Sequence, residues 1–232
     1  MKFLNNWSSK EFKISSDLVH MDILKESFFT YPKNLPDYYK NIPKFIELKD
    51  SFKKGRTMKH CSGFTNYFRN MISFRSPCDI QIIRKENKLE AYFGSRSLND
   101  SKRFNLHSPD QFLKHVNQDK YLGIAKIDLD IKFLCNAPMI VSNPWWYLNK
   151  FEILPGIINA SKSLHYLNLF LPIEKNFDNL IIKKGQALCD IHFETEKKIK
   201  IKFVKELDAL DLCDYYFSVF KKMILPKRIF NE

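Results

Sequence analysis

The chain has 232 residues, 44% hydrophobic and 15% aromatic, and carries a formal net charge of +12 with a sequence pI near 9.4. That apolar content excludes a mainly disordered chain, which lacks the surface to offset ordering entropy, and only six glycines and ten prolines exclude a collagen-like or linker-like one. The charge reads either as attraction to a polyanion, nucleic acid included, or as a lysine-solvated surface; the lysines are scattered and form no tail-like run, which favours the surface.

Residues 1–27 are weakly periodic, with Val19, Ile23 and Leu24 hinting at a short helix or strand. Prolines 32, 36 and 43 forbid a long regular element over residues 28–50. Within it, residues 35–39 read as a helical turn with Pro36 at its first position. Residues 1–50 are therefore expected to wrap over a β-rich core spanning residues 51–205, with a C-terminal helix and tail over 206–232, all in one domain. Residues 62–70 predict a short helix capped by Ser62, with Phe64, Tyr67 and Phe68 on one side. Residues 71–74 and 78–84 predict strands, and 89–93 a hairpin partner across the turn at 85–88. Residues 94–103 read as a polar loop.

Residues 106–111 read as a helix start, with Ser108 as cap, Pro109 in the first position and Gln111 completing a capping box. His107 and His115 flank it as polar loop and surface groups. Residues 124–133 form the clearest strand: Ile127, Leu129, Ile131 and Phe133 alternate with Lys126, Asp128, Asp130 and Lys132. Asp128 and Asp130 share a face and resemble paired metal ligands, but two lysines on that same face make a solvated charge ladder the simpler reading. Apolar residues 167–171 predict a buried strand, and Lys184-Gly185 a turn between two more. Residues 198–203 alternate again. Leu207, Leu210, Cys213, Phe217, Phe220 and Ile224 then follow helical spacing up to Pro226. The expected fold is mainly β, a barrel or jelly roll with a mid-chain capped helix and a C-terminal helix.

No Walker loop, G-x-G-x-x-G, H-E-x-x-H or G-x-S-x-G occurs. Five cysteines without a C-x-x-C pair read as free thiols in a reducing compartment, and no apolar run approaches the roughly 20 residues that span a bilayer. His60-Cys61 are neighbours in sequence, which seldom gives a useful nucleophile pair. His192-Phe193-Glu194 fits the H-x-E trace of a non-haem iron site but reads more simply as alternating strand residues. Neither a metal nor another cofactor is expected. Trp145 and Trp146 follow Asn143-Pro144; on a strand one would be core and the other a pocket lid or interface anchor.

The blocks 35–43, Thr57-Met58-Lys59-His60-Cys61, Pro77-Cys78-Asp79-Ile80, 106–111, Asn143-Pro144-Trp145, 151–158 and 184–191 resemble, in order, an uncharacterised family of marine tailed phages and bacteria. The resemblance covers most of residues 30–195 and implies a source but no activity. It places the protein in the cytoplasm of an infected or host bacterium, or in a virion. The central stretch, Gly156-Ile157-Ile158-Asn159 followed by a strand and Lys184-Gly185-Gln186-Ala187-Leu188, is similar to the last strands of the dUTPase and dCTP deaminase β-barrels. In those folds a glycine-led turn carries a water-activating Asp. Here Asn159 takes that place and an amide is no general base, Asp190 replaces the usual Gln, and Gly185 is the last glycine, so the phosphate-binding arm is missing.

Two functions follow as expectations. One is a non-catalytic accessory or virion-associated protein that binds a protein partner or itself. The other is a pyrimidine nucleotide-binding enzyme or sensor using a relocated base, Asp190 or Glu152. Nucleic-acid binding rests on charge alone. The residues singled out for a ligand site are Trp145, Trp146, Gly156, Asn159, Gly185, Asp190 and His192.

Overall fold

A computed structural model describes residues 11–47, 54–69, 71–86, 88–94, 96–97, 103–108, 120–135, 137–158, 164–195, 199–205 and 207. The mid-chain helix expected after Ser108, the C-terminal helix expected after Leu207, and Asn159 lie outside the described residues. The fold is mainly β, and none of its sheets closes into a barrel among the described residues.

The first sheet is built on β10 (Tyr121–Cys135), which pairs along one edge with β13 (His165–Glu174). Its other edge is shared: β9 (Phe104–His107) takes the first half and β1 (Glu11–Ser16) the second, and β16 (Lys200–Phe203) runs parallel to β1 outside it. The expected alternation places Ile127, Leu129, Ile131 and Phe133 in the core, all essentially unexposed. The carboxylate ladder needs correction, because the pairing with β13 slips between Asp128 and Lys132 and Asp130 adopts φ +55°. Asp128 accepts from the Asp130 N–H at 2.7 Å, Asp130 accepts from the Asp17 N–H at 3.1 Å, and Asp17 pairs with Lys132. The two aspartates thus stabilise a bulge, where short polar side chains tolerate left-handed backbone. Gly123 is needed at the β9 crossing: a Cβ there would lie 2.6 Å from the His107 carbonyl oxygen.

Two sequence expectations shift at this sheet. Phe104–His107 is strand, so the expected helix start at 106–107 belongs to β9. β1, within the expected wrapping segment, lies inside the sheet with Phe12 and Ile14 fully buried. The sequence carries its signal, since Phe12 and Ile14 alternate with Glu11, Lys13 and Ser15.

The second sheet runs in the order β12 (Gly156–Ile158), β11 (Met139–Ser142), β15 (Ala187–Phe193), β5 (Met71–Arg75) and β2 (Phe28–Phe29). A third contains the expected hairpin, β6 (Ile80–Lys85) and β7 (Lys88–Phe93), with β14 (Asn179–Ile182) and β8 (Arg96–Ser97) at its edges. All three sheets close on one core. Phe12 of the first sheet meets Phe28 and Phe193 of the second at centroid distances of 6.2 and 5.2 Å. A separate two-stranded ribbon joins β3 (Phe45–Glu47) and β4 (Lys54–Arg56).

The outer face of the second sheet is covered by α2 (Asp37–Asn41) and α3 (Ser62–Arg69), which build a smaller cluster of Leu35, Tyr39, Phe64, Phe68 and Met71. Pro36 is the N-cap of α2 rather than its first residue, and Ser62 is the first residue of α3 rather than its cap. A short α1 (Met21–Lys25) follows β1. Among the described residues, no helix is long and apolar enough to cross a membrane.

Candidate functional site

In β15 the inward residues Cys189, Ile191 and Phe193 alternate with Asp190 and His192, which face outward under α3. Asp190 stands between Ser142 on β11 and Ser73 on β5, so three polar side chains occupy one row across adjacent strands. Tyr67 of α3 donates its hydroxyl to Asp190 Oδ2 at 3.1 Å. Asp190 Oδ1 and Ser73 Oγ are both buried without a hydrogen-bond partner of good geometry.

Asp190 is fully buried, and burial pushes its carboxyl up to about 7, against the opposing influence of Tyr67 and Ser73. The Tyr67 phenol is driven far above its ordinary value by burial and then by the neighbouring carboxylate. Burial also raises the Tyr147 phenol and lowers the His192 imidazole, whose ring packs on Tyr67 at 4.7 Å. The seam is therefore a buried, low-polarity environment that favours the neutral forms of Asp190, Tyr67, Tyr147 and His192. It has the proton affinity of a general acid–base site but no opening to solvent at its carboxyl group.

The lid of the seam comes from the Asn143-Pro144 segment. Asn143 is buried and its side chain accepts from the Ile153 N–H at 2.9 Å, which pins both ends of the intervening loop. Between them Trp145–Tyr147 forms one 3-10 turn, ending at Leu148 with φ +54°. The strand expectation for the two tryptophans fails for this reason: they lie on a turn, and neither is buried, at 62% and 36% exposed. Trp146 lies edge-on to Phe64 at 4.6 Å, above Tyr67. Tyr147 donates its hydroxyl to the Asn34 carbonyl, and its ring lies 5.7 Å from the Arg75 guanidinium.

A groove of about 1030 Å³ opens beside this turn, between residues 147–152 and the segment that runs from the end of β13 into β14. Phe151, Leu171 and Ile173 lie along it, and Glu152 and Gln186 reach into it. Gln186 follows Gly185, which takes φ +81° in the β14–β15 turn. Asp79 fastens that turn by accepting from the Lys184 N–H at 2.8 Å and from Lys183 Nζ at 3.1 Å. These contacts, the backbone one first, hold the Asp79 carboxyl below its ordinary value.

The sequence-selected residues thus fall in different places. Asp190, His192 and Trp146 come together at the seam. Trp145 stands exposed on the turn. Gly185 supports the groove through Gln186. Gly156 opens edge strand β12, where an added Cβ would meet nothing within 4 Å, so no close approach demands glycine there. Of the two relocated bases, Glu152 lines the groove and Asp190 does not. His192 and Glu194 join no group of three or more metal-ligating side chains among the described residues. His60 packs on Phe45 at 4.8 Å, with Cys61 exposed beside it. Tyr67, Ser73, Ser142 and Tyr147 were missed by sequence reasoning. A polar residue inside an apolar strand run, Ser73 in Met71-Ile72-Ser73-Phe74, was the available signal. Compared with known proteins, the chain matches no family model and has no significant match to a curated protein or a solved structure.

Proposed function

We propose that the chain is a binding protein that acts by contact with a protein partner, a second copy of itself included, in an infected cell or a virion. Its setting rests on the phage-family resemblance, and within the mainly β class we read the stacked sheets as a jelly-roll type rather than a closed barrel. The observation that carries the binding function is a rigidly held exposed apolar turn. Trp145 is 62% and Leu148 80% exposed. The turn beneath them is held by Tyr147 on Asn34 and by Asn149, which donates to the Ala187 carbonyl at 2.7 Å. A preorganised aromatic anchor loses little freedom on association, which is where interface energy concentrates. Ile157, 74% exposed on edge strand β12, continues the same face through Ile140 and His192.

The test is association of the full chain by sedimentation and by capture from infected lysate, with Trp145→Ala and Leu148→Ser as paired controls. Loss of an anchor of about 2 kcal/mol weakens association about 30-fold without lowering the melting temperature. A protein that stays monomeric and captures nothing, or variants that associate as the wild type does, refute the reading.

A nucleotide-binding function of the dUTPase type is the second reading. It is favoured by one observation: Glu152 and the Gln186 that follows Gly185 line the same groove. A pyrimidine nucleotide at about 100 times its Kd, with magnesium, stabilises by roughly 2.7 kcal/mol. That raises Tm by about 5–10 °C in a domain of this size. A flat panel removes this reading and leaves the first untouched.

A further inference from the structure

We infer that the groove between the 147–152 loop and the segment linking β13 to β14 is a binding site for a neutral polyhydroxylated ligand, a short oligosaccharide. The site adjoins the Trp145 surface and shares Leu148 and the turn residues Tyr147 and Asn149 with it, but Trp145 itself does not line it. Charge in the groove departs from that of the rest of the molecule. The chain as a whole carries +12, yet the groove is lined by two lysines and two glutamates, Lys120 and Lys150 against Glu152 and Glu174. Lys120 is already paired to Glu174 at 2.8 Å. A phosphate-bearing ligand would find no surplus cation and would meet Glu152, so the balance selects against anions.

The uncharged polar groups suit hydroxyls. Asn149, Asn176, Asn179 and Gln186 all line the groove. A side-chain amide both donates and accepts, which matches a hydroxyl, itself both donor and acceptor. Two of these amides form a wall whose shape is set before any ligand arrives. Gln186 Nε2 donates to Asn149 Oδ1 at 3.1 Å, Gln186 Oε1 accepts from the Lys183 N–H at 3.1 Å, and Asn149 Nδ2 donates to the Ala187 carbonyl at 2.7 Å. Each NH₂ group has two donors and uses one inside the wall, so the second N–H serves a ligand hydroxyl.

The apolar lining suits the other side of a sugar. Tyr121, Tyr147 and Phe177 supply aromatic surface beside Pro172, over the buried Leu171 and Ile173. A pyranose ring presents polarised C–H groups on one face, which suit the electron-rich face of an aromatic ring, while its hydroxyls point to the amides. At about 1030 Å³ the groove is at the upper end of small-molecule sites, about 300–1,000 Å³, and has room for more than one sugar ring.

The experiment titrates the full chain with neutral oligosaccharides of two to six units, hexose and N-acetylhexosamine series, by calorimetry and NMR. Pyrimidine nucleotides are run in parallel. The expected result is saturable binding of a neutral member whose Kd changes less than twofold between about 0.05 and 0.5 M salt, because no charge is screened. Asn179→Ala, an exposed position with little at stake in folding, and Gln186→Ala each weaken it at least tenfold; Trp145→Ala leaves it unchanged. Three outcomes overturn the inference: no neutral oligosaccharide binding at millimolar concentration, nucleotide binding that weakens with salt in its place, or sugar binding indifferent to Asn179→Ala.

Discussion

Replacing Asp190 by Asn should stabilise the protein above neutral pH and leave it nearly unchanged in acid. In the folded chain the Asp190 carboxyl keeps its proton up to about pH 7, against an ordinary value near 3.8, because it is buried between Ser73 and Ser142. Between those two values the folded state binds more protons than the unfolded state. Stability therefore falls as pH rises from about 4 to about 7, and stays at the lower level above. A displacement of about three pH units, at 1.36 kcal/mol each, corresponds to about 4 kcal/mol. Full burial means that solvent screening does not reduce this. Asn has the same shape and still accepts from the Tyr67 hydroxyl, its NH₂ group has the two serine oxygens as neighbours, and it does not ionise. Urea unfolding of both proteins at pH 4.5, 6 and 8, followed by circular dichroism, gives the comparison. The curves should lie close together in acid and separate by up to about 4 kcal/mol at pH 8, equivalent to roughly 8–16 °C in Tm for a chain of this size. Parallel pH dependences in the two proteins would refute the reasoning, because His192 and the surface groups titrate alike in both.

Three further outcomes test the fold. Phe74 is fully buried and lies 4.7 Å from the Phe28 ring, so Phe74→Ala should cost about 3–5 kcal/mol in urea unfolding. Gly123→Ala forces a carbon to 2.6 Å from the His107 carbonyl oxygen, and should cost about 1–3 kcal/mol while weakening amide-exchange protection in β9 more than in β13. In native thiol labelling at pH 8, exposed Cys61 should react first among the four cysteines of the described residues. Cys78, whose thiol is pushed up to about 11 by burial and Asp79, should lag, and buried Cys135 and Cys189 should react only on unfolding; quantitative mass spectrometry reads the order.

Strand positions were legible in several segments with one wet face. β10 and β16 alternate cleanly, and the hairpin of β6 and β7 was visible from its turn. β1 was not, because it precedes a proline-interrupted stretch, so its alternation had little context; its partners β10 and β16 lie more than a hundred residues away. Phe104–His107 satisfied a helix-start pattern at its end, yet pairing with β10 outweighs the local preference. Strand alternation misplaced the tryptophans, because Asn143 closes a loop through its side chain and leaves them on a turn. The seam was only half legible. Asp190 stood out through the dUTPase-type resemblance and His192 through the H-x-E pattern, but Tyr67 and Ser73 reach them through pairings that no spacing in the chain encodes.

Tyr147 ties the separate features of this face together. Its hydroxyl holds the Asn34 carbonyl, its ring lies beside the Arg75 guanidinium, and one edge of it lines the groove. The negative charge of Asp190 raises its phenol further above the ordinary range, after burial itself, which places it within the field of the seam. A change of charge at Asp190 therefore acts on a residue that also forms part of the groove wall and anchors the turn bearing Trp145. The buried carboxyl lowers stability at neutral pH, where an apolar or amide side chain in its place would not. What it provides is an acceptor for the Tyr67 hydroxyl, which ties α3 to the sheet beneath it. If Asp190→Asn stabilises the chain and leaves the Tyr147 ring resonances as in the wild type, the carboxyl acts only through its own contacts. If those resonances move with it, the ionisation of this buried group reaches the turn that bears Trp145 as well.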